Sequence, residues 1–247
     1  MSARPLTVLK FGSSLLSSEG DLPAAAAEIA RWRDRGDRVL AVVSAIGNTT
    51  NTLLAAAREI CADPDPTSLS FLLSTGESRA AALLALALGA AGISASLLDP
   101  ARIGLRTVGP PLDSEPCGLD AERVFAALGE SEVAVVPGFF GRGSAGEITL
   151  LGRGGSDLTA LFLAHRLGAS RCRLLKNVDG VHERDPATFR GSNIRYAELD
   201  YEDALRLRAR VVQEKALRFA KSRRLRFEVG APGMDHATVI GPFPTRP

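Results

Sequence analysis

The chain is poor in the residues that build disulfide frameworks and transition-metal sites. It has three cysteines and three histidines in 247 residues. The residues concerned are Cys61, Cys117, Cys172, His165, His182 and His236. The cysteines show no C-x-x-C spacing, and the histidines form no metal-like or triad-like grouping. This excludes a disulfide scaffold and a zinc motif, and it is typical of a protein of the reducing cytoplasm, where we expect this chain to reside.

The sequence also lacks a long apolar run and a strong net charge. No stretch of about 18 uninterrupted apolar residues is present, and the first residues lack the apolar core of a signal peptide. A formal net charge of +2 gives no electrostatic footprint for nucleic acid. With 45% apolar residues, the chain can bury a large core as one domain or two lobes. We therefore expect a globular protein with neither a membrane nor a nucleic-acid partner.

Lysine is scarce as well. The chain has 30 basic residues, of which only Lys10, Lys176, Lys215 and Lys221 are lysines. Arginine therefore supplies the general surface charge. Because the two side chains are not interchangeable at a specific site, a lysine in this chain is expected where a compact ammonium group is needed.

What the chain does contain is a regular alternation of strand-like and helix-like segments. This alternation predicts an α/β protein with a mostly parallel sheet covered on both faces. Residues 6–11, 132–140, 147–151 and 172–178 are predicted as strands. Helices are predicted over about 50–60, 77–92, 156–167 and 201–224, with a surface connection at 62–68 and a long loop at 99–120.

Two glycine-rich loops differ in their context. "GRGSAG", residues 141–146, matches G-x-G-x-x-G, but a strand follows it where the dinucleotide motif needs a helix, which favours a hairpin loop. "GRGGSD", residues 152–157, follows a predicted strand and opens a predicted helix at Ser156. There free backbone N–H groups and the helix dipole face an anion. The alternative is a tight turn in which Ser156 is an ordinary N-cap.

Two further strand ends offer similar chemistry. Lys10 ends the first strand, followed by the glycine and serine donors of "GSS", and the next strand runs into "SAIGNTT". In an open α/β sheet, ligands bind at the carboxyl ends of the strands. The Walker A pattern and the protein-kinase H-R-D and D-F-G motifs are absent. The three loops together therefore indicate a phosphate-handling protein outside those two motif sets.

These segments resemble the amino-acid kinase family and, within it, the catalytic domain of aspartokinases. "VLKFGSSLL" is similar to the family's Lys-Phe-Gly-Gly-Thr-Ser. "VVSAIGNTTNTLL" is similar to the family's Val-Val-Ser-Ala-Met-Gly-x-Thr-Thr. "LLSTGESRAAALLALAL", "VPGFFGR", "TLLGRGGSDLTA" and "NVDGVHERDP" follow in the family's order. The resemblance runs from about residue 6 to residue 229. It implies an α/β/α sandwich whose part up to about residue 150 holds an amino acid and whose part from about 151 to 247 holds a nucleotide.

The resemblance implies transfer of the γ-phosphoryl group of Mg²⁺-ATP to a side-chain carboxylate of a small amino acid, L-aspartate above all. It assigns Lys10 and Asp157 to catalysis, Arg153 to the α-carboxylate and Glu77 to the α-ammonium of the substrate. Hydroxyl groups that complete the substrate pocket would come from Ser44, Thr50 and Ser156. The nucleotide would be bound by Gly12, Ser13, Lys176, Asn177, His182 and Arg210. No protein metal ligand is predicted. Glu77 and Asp157 have an alternative role in stabilising the first turn of a helix.

Departures from the family pattern concentrate on the nucleotide side. Asn177 replaces the first acid of Asp-Val-Asp and follows Lys176, His182 replaces a tyrosine, and Ala187 replaces an arginine that Lys176 would compensate. The family's Lys-Val-Leu-His-Pro is "RVVQE", beginning at Arg210. A relative that has lost nucleotide binding is therefore the alternative to a kinase. The serine pair after Gly12 also resembles glutamate 5-kinase, which leaves a different amino-acid substrate open.

Aspartokinases usually continue into two ligand-sensing ACT domains, which this sequence does not include. The chain is expected to be either an unregulated stand-alone kinase or the catalytic part of something longer or heteromeric. We expect a homo-oligomer, with regulation supplied by a separate subunit or a fusion partner if it is regulated.

Overall fold

The computed structural model describes residues 4–184, 188–189, 191, 193–207 and 211–247. Within these residues the strands are β1 (Leu6–Phe11), β2 (Arg38–Val43), β3 (Ser96–Leu97), β4 (Arg106–Val108), β5 (Glu115–Gly118), β6 (Val133–Pro137), β7 (Phe140–Arg142), β8 (Ile148–Leu150), β9 (Arg171–Leu175), β10 (Glu198–Asp200), β11 (Phe227–Gly230) and β12 (Thr238–Gly241). The α-helices are α1 (Leu22–Asp34), α2 (Thr49–Ile60), α3 (Pro66–Ala90), α4 (Ala121–Ser131), α5 (Gly155–Arg166), α6 (Tyr201–Arg206) and α7 (Glu214–Ser222).

The main sheet has eight strands in the order β10-β12-β11-β9-β1-β2-β6-β3. Its pairs are parallel except for β11 with β12. The central strand β1 is buried along its whole length because helices cover both faces. Leu9 and Phe11 pack with α1 and α3, whereas Leu6 and Val8 pack with α4, α5 and α7. The predicted three-layer α/β/α sandwich is confirmed.

A second, four-stranded sheet, in the order β5-β4-β7-β8, was not predicted. Two of its strands lie in residues 99–120, which were expected to form a loop. The predicted strand over 132–140 is divided into β6 and β7, because the backbone turns at Gly138 and at Phe139, which has a φ of 74°. The "GRGSAG" segment is the loop of the β7–β8 hairpin, as predicted, closed by the Gly143 N–H donating to the Glu147 carbonyl at 2.9 Å.

Two predicted helices have different bounds. Helix α3 begins at Pro66, well before the predicted start at residue 77, so the supposed surface connection at 62–68 contains a helix start. Asp65 is the N-cap, accepting from the Ser68 N–H at 2.8 Å, and Pro66 occupies the first turn, where its missing N–H is harmless. The single helix predicted over 201–224 is replaced by α6 and α7, since the backbone is already extended at Leu207.

Helix α3 has the length and apolar composition that a membrane span requires, with a mean hydropathy of 1.3. Core helices of globular domains meet the same criterion. Ala80, Ala81 and Leu84 are fully buried against the sheet, which accounts for the apolar character of this helix by packing in the domain core.

Candidate active site

A cleft of about 360 Å³ lies at the carboxyl ends of the adjacent strands β1, β2 and β9. The start of α5 and the middle of α3 form its other walls. The predicted site residues that line it are Lys10, Ser13, Ser44, Thr50, Glu77, Arg153, Ser156, Asp157 and Lys176. Residues from five separate segments of the sequence are therefore brought together at the edge of the sheet where α/β proteins bind ligands.

A buried ion pair forms the floor of the cleft. Lys10 Nζ lies 2.7 Å from Asp157 Oδ1, and their side chains are only 6% and 5% exposed. Lys10 shares the strand face of Leu6 and Val8, which is the face covered by α5. Because Asp157 stands in the first turn of α5, strand and helix place the two charges opposite each other.

The same carboxylate contacts a second ammonium group. Lys176 Nζ lies 3.0 Å from Asp157 Oδ2 and 3.3 Å from Oδ1. Burial by itself would raise the pKa of Asp157, but the charges of Lys10 and Lys176 outweigh it and keep that pKa below its usual value. Burial lowers the pKa of Lys10, and Asp157 opposes that shift. Both ammonium groups thus share one carboxylate.

Glu77 is a buried acid in the middle of α3. It is 3% exposed, and one carboxylate oxygen, Oε2, has no hydrogen-bond partner among the described residues. Burial raises its pKa to about 7, although the Ala45 N–H and the charge of Lys10 favour the anion. The preceding Gly76 lets α3 approach closely, because a Cβ there would lie 3.1 Å from the Ala45 Cβ. Because Glu77 lies in the middle of α3, it cannot stabilise the first turn of a helix, which was the alternative suggested by the sequence.

The "GRGGSD" loop turns sharply into α5 through two glycines with positive φ. Gly152 and Gly154 have φ values of 72° and 79°, and Gly154 is the N-cap of a helix that begins at Gly155. The predicted helix start at Ser156 is one residue late, and the alternative in which Ser156 is the N-cap is wrong, because Gly154 occupies that position. Ser156 lies instead inside the first turn of α5 and lines the cleft. The glycines are therefore required by backbone geometry and close packing.

Replacing Gly154 by alanine tests whether this geometry is essential. A Cβ at Gly154 would overlap the Cβ of Gln213, and the positive φ disfavours any L side chain. We expect urea unfolding to show a loss of about 3 kcal/mol, from left-handed strain plus overpacking. Gly92→Ala is the matched control, since Gly92 has a φ of 73° but open space around it. It should lose only about 1 kcal/mol. Equal losses in both variants would contradict the close packing of Gln213 on the loop.

Arg153, in the same loop, is an exposed cation that lines the cleft. Within the described residues it makes no ion pair and no side-chain hydrogen bond, whereas Lys10 and Lys176 share Asp157. An arginine without a protein partner at the mouth of a cleft is suited to bind a carboxylate from solution, with two parallel N–H donors.

Four further residues are predicted to bind nucleotide, namely Gly12, Asn177, His182 and Arg210. Gly12 lies beside the cleft, since a Cβ there would stand 2.9 Å from Lys10 Nζ. Asn177 and His182 do not line it, and His182 Nε2 contacts Asp179 Oδ1 at 2.8 Å. Arg210 lies outside the described residues, as does Ala187. The structure thus brings nine of the predicted site residues together in the cleft, and the predicted purine side stays a prediction.

Sequence reasoning missed several residues that line the cleft, namely Asn48, Asn51, Phe139 and Gln213. Gln213 is the N-cap of α7 and packs over Gly154. Its position within "RVVQE", where the family motif is altered, was the available signal. Asn48 and Asn51 stand in the "SAIGNTTN" segment, with Asn51 Nδ2 donating to Asn48 Oδ1 at 2.5 Å.

No group of three or more metal-binding side chains (His, Cys, Asp or Glu) occurs within the ranges that the structure describes. In the cleft itself the carboxylates are Asp157, which accepts from two lysines, and Glu77, which is buried on the opposite wall. Such a donor set fits Mg²⁺ that arrives with phosphate oxygens and water as its main ligands.

A model of the amino acid kinase family matches residues 5–229. The chain is 36% identical to an aspartokinase of Thermus thermophilus over 219 residues, covering 87% of this chain and 54% of that protein. It is similar to the solved aspartate kinase of Synechocystis, with a TM-score of 0.83 and 32% identity over 98% of this chain and 41% of that one. The E. coli aspartokinase III solved with aspartate and ADP shares the fold, with a TM-score of 0.83 at 24% identity over 96% of this chain and 64% of that one. The chain spans about half the length of the curated relatives it matches.

Proposed function

Because this chain belongs to the amino acid kinase family, we propose that it transfers the γ-phosphoryl group of ATP to the side-chain carboxylate of L-aspartate. A carboxylate oxygen forms a bond to the γ-phosphorus, the bond from that phosphorus to the β–γ bridging oxygen breaks, and the products are 4-phospho-L-aspartate and ADP. Relatives named aspartokinase at 34–36% identity support the substrate. The observation that carries the proposal is the buried contact of Lys10 with Asp157 in a cleft that also contains Glu77 and Arg153.

The substrate pocket that we propose recognises a zwitterion. Arg153 binds the α-carboxylate and Glu77 binds the α-ammonium group, so that opposite charges meet at each end of the backbone of the substrate. The hydroxyl groups of Ser44, Thr50 and Ser156 complete the pocket, which all five residues line. An aspartate side chain has a reference pKa of about 3.9 and is already an anion at neutral pH, so no general base is required.

The chemical step then depends on alignment and positive charge. Two anions must meet in line, which the cleft assists with the Lys10 ammonium, the backbone N–H groups at Gly12 and Ser13, and the positive end of helix α5. Asp157 keeps Lys10 charged and oriented, because its carboxylate opposes the loss of charge that burial favours. These charged and polar groups are in position before the reaction begins, so they need to move little as the transition state forms.

The nucleotide lies on the side of the residues from about 151 onward in this proposal. Lys176, Asn177, His182 and Arg210 are the candidates that bind it. Mg²⁺ would be carried by the phosphate groups and water, and it would supply further positive charge to the transferring group. A non-catalytic relative is disfavoured, because a decayed site has no reason to keep the buried Lys10–Asp157 pair together with Glu77 and Arg153 in one cleft.

The direct test traps the acyl phosphate as its hydroxamate while the amino acid is varied. ATP-dependent hydroxamate with L-aspartate, and little with L-glutamate, is the expected result. Product from glutamate alone would replace the substrate assignment, and product from no amino acid would refute the kinase proposal. If no amino acid gives product, calorimetry with Mg²⁺-ATP shows whether the chain still binds nucleotide. An absence of binding at millimolar nucleotide would support a non-catalytic relative.

Replacing Arg153 by alanine is expected to raise the KM for aspartate by about 10- to 100-fold with kcat little changed, because the α-carboxylate contact is made equally in the ground and transition states. Initial rates over a range of aspartate concentrations measure the split. Arg218→Ala is the control, since Arg218 is an exposed arginine of α7 that pairs with Glu214 and does not line the cleft. An unchanged KM in Arg153→Ala would contradict this role.

A further inference from the structure

Lys176 and Lys10 project from neighbouring parallel strands to the same side of the sheet. Lys10 is the partner of Leu174 in the β1–β9 register, and Lys176 follows Leu174 by two residues. Side chains two residues apart share a face, so Lys176 lies on the α5 side, one residue pair nearer the carboxyl edge. Its backbone is held there, since the Lys176 N–H donates to the Gly230 carbonyl at 2.9 Å. The position of this ammonium group is thus fixed by the sheet.

The local charge is not balanced. Two ammonium groups share one carboxylate, and in the described part of the chain Asp157 is the only side chain that accepts a hydrogen bond from either of them. The Lys176 side chain is 14% exposed and that of Lys10 is 6% exposed, so water screens little of the excess positive charge. Glu77, the other acid of the cleft, has a pKa of about 7 and is only partly ionised at neutral pH. The floor of the cleft therefore carries a net positive charge.

A purely structural role for Lys176 explains this arrangement poorly. Lys10 alone neutralises Asp157, and burying a second ammonium group beside the first adds desolvation and like-charge repulsion. The repulsion acts on Lys10, whose pKa is lowered by burial and, in the same direction, by the charge of Lys176. An anion that enters the cleft would neutralise this surplus. Each ammonium has three N–H donors, which leaves donors for that anion after the contact with Asp157.

We propose that Lys176 is a second phosphoryl-binding catalytic residue, which contacts the γ-phosphoryl group from the β9 side while Lys10 contacts it from the β1 side. Asp157 holds both ammonium groups beside one carboxylate: Lys10 lies at Oδ1, and Lys176 contacts both oxygens with the shorter distance to Oδ2. This inference rests on the proposed kinase function. It assigns a role to the lysine that immediately precedes the segment similar to the family's Asp-Val-Asp block, and it gives Asp157 two lysines to position.

The test compares two nucleotides in Lys176→Met, with Lys221→Met as the matched control. Lys221 is a lysine of α7 that pairs with Glu202 and does not line the cleft. In Lys176→Met we expect the Kd for the β,γ-imido analogue of ATP to rise by about 10- to 100-fold and the Kd for ADP by less than about threefold. The kcat for aspartate phosphorylation should fall by about 100-fold. Lys221→Met should change none of these values.

Equal loss of both nucleotides, or no loss of either with full kcat, would overturn the proposal. If Lys176→Met does not fold, as judged by its thermal melt, Lys176→Arg takes its place: retained charge should keep part of the preference for the triphosphate analogue, and a complete loss of that preference would also count against the proposal. Nucleotide binding does not depend on the acceptor. A wild type that binds the ATP analogue but phosphorylates no amino acid would therefore refute the proposed function and leave the role of Lys176 to be decided by the two Kd values.

Discussion

Replacing Asp157 by asparagine is expected to lower kcat by at least about 100-fold, with the KM for aspartate within about threefold of the wild type. The substitution preserves shape but removes the negative charge that pairs with the buried Lys10 and the partly buried Lys176. Without that carboxylate the pKa of Lys10 falls further, because burial and Lys176 both lower it. Charge that acts mainly on the transferring phosphoryl group is lost, whereas the residues proposed to bind the amino acid are unchanged.

Steady-state kinetics with aspartate and ATP varied in turn measure this effect. Asp235→Asn is the control, since Asp235 is an exposed aspartate that pairs with Arg31 and Arg35 in the described structure and does not line the cleft. It should retain wild-type kcat. A variant at position 157 with full kcat would mean that Asp157 only stabilises the first turn of α5. A rise in KM with unchanged kcat would move Asp157 from the chemical step to substrate binding.

Glu77→Gln is expected to impair the enzyme and stabilise the fold at the same time. In the proposed site the amide cannot neutralise the α-ammonium group, so kcat/KM for aspartate should fall by about 100-fold or more. The same substitution removes a buried acid whose pKa burial raises to about 7. Because the folded chain holds that proton more tightly than the unfolded chain, Glu77 reduces stability as pH rises from about 4.5 to above 7. The gain in the variant should reach up to about 3 kcal/mol at pH 8 and vanish near pH 4.

Urea unfolding at a series of pH values and kinetics over the same range test both parts. For the wild type, kcat/KM for aspartate should fall as pH decreases through about 7, since protonation of Glu77 removes the negative charge that binds the substrate. Glu59→Gln, at an exposed position of α2, serves as the control and should leave both profiles unchanged. A Glu77→Gln variant that is no more stable at pH 8 than at pH 5, relative to wild type, would contradict the raised pKa.

The sequence predicts the part of the fold that depends on long apolar strands. The segments that became β1, β2 and β9 are rich in apolar residues and alternate with helical segments, which indicated a parallel sheet covered on both faces. Parallel strands bring their carboxyl-end loops to one edge. This is why Lys10, Ser44 and the "GRGGSD" loop could be assigned to one site before their distances were known. The small sheet was missed because β4 has only three residues, too few for an alternating pattern to be recognised.

Other features depend on contacts that a linear pattern does not contain. The start of α3 was misjudged because Asp65 and Pro66 have the composition of a turn as well as that of an N-cap and first helical residue. The convergence of Lys176 on Asp157 follows from the β1–β9 register and the entry angle of α5, neither of which can be obtained from spacing alone. The raised pKa of Glu77 depends likewise on how closely α3 approaches Ala45.

The position of β1 in the centre of the sheet also affects how the chain folds during synthesis. One neighbour of β1 is made early, since Thr7 pairs with Val39, but the other comes much later, since Thr7 also pairs with Arg171. At about 5–20 residues per second, the ribosome needs roughly 10 to 30 s to supply that second neighbour. Throughout this interval the strand that contains Lys10 has one edge whose backbone N–H and C=O groups lack their strand partner, and such an edge can pair with other chains and aggregate. The central placement that joins the two lysines in the finished protein therefore leaves β1 with one unpaired edge until β9 has left the ribosome.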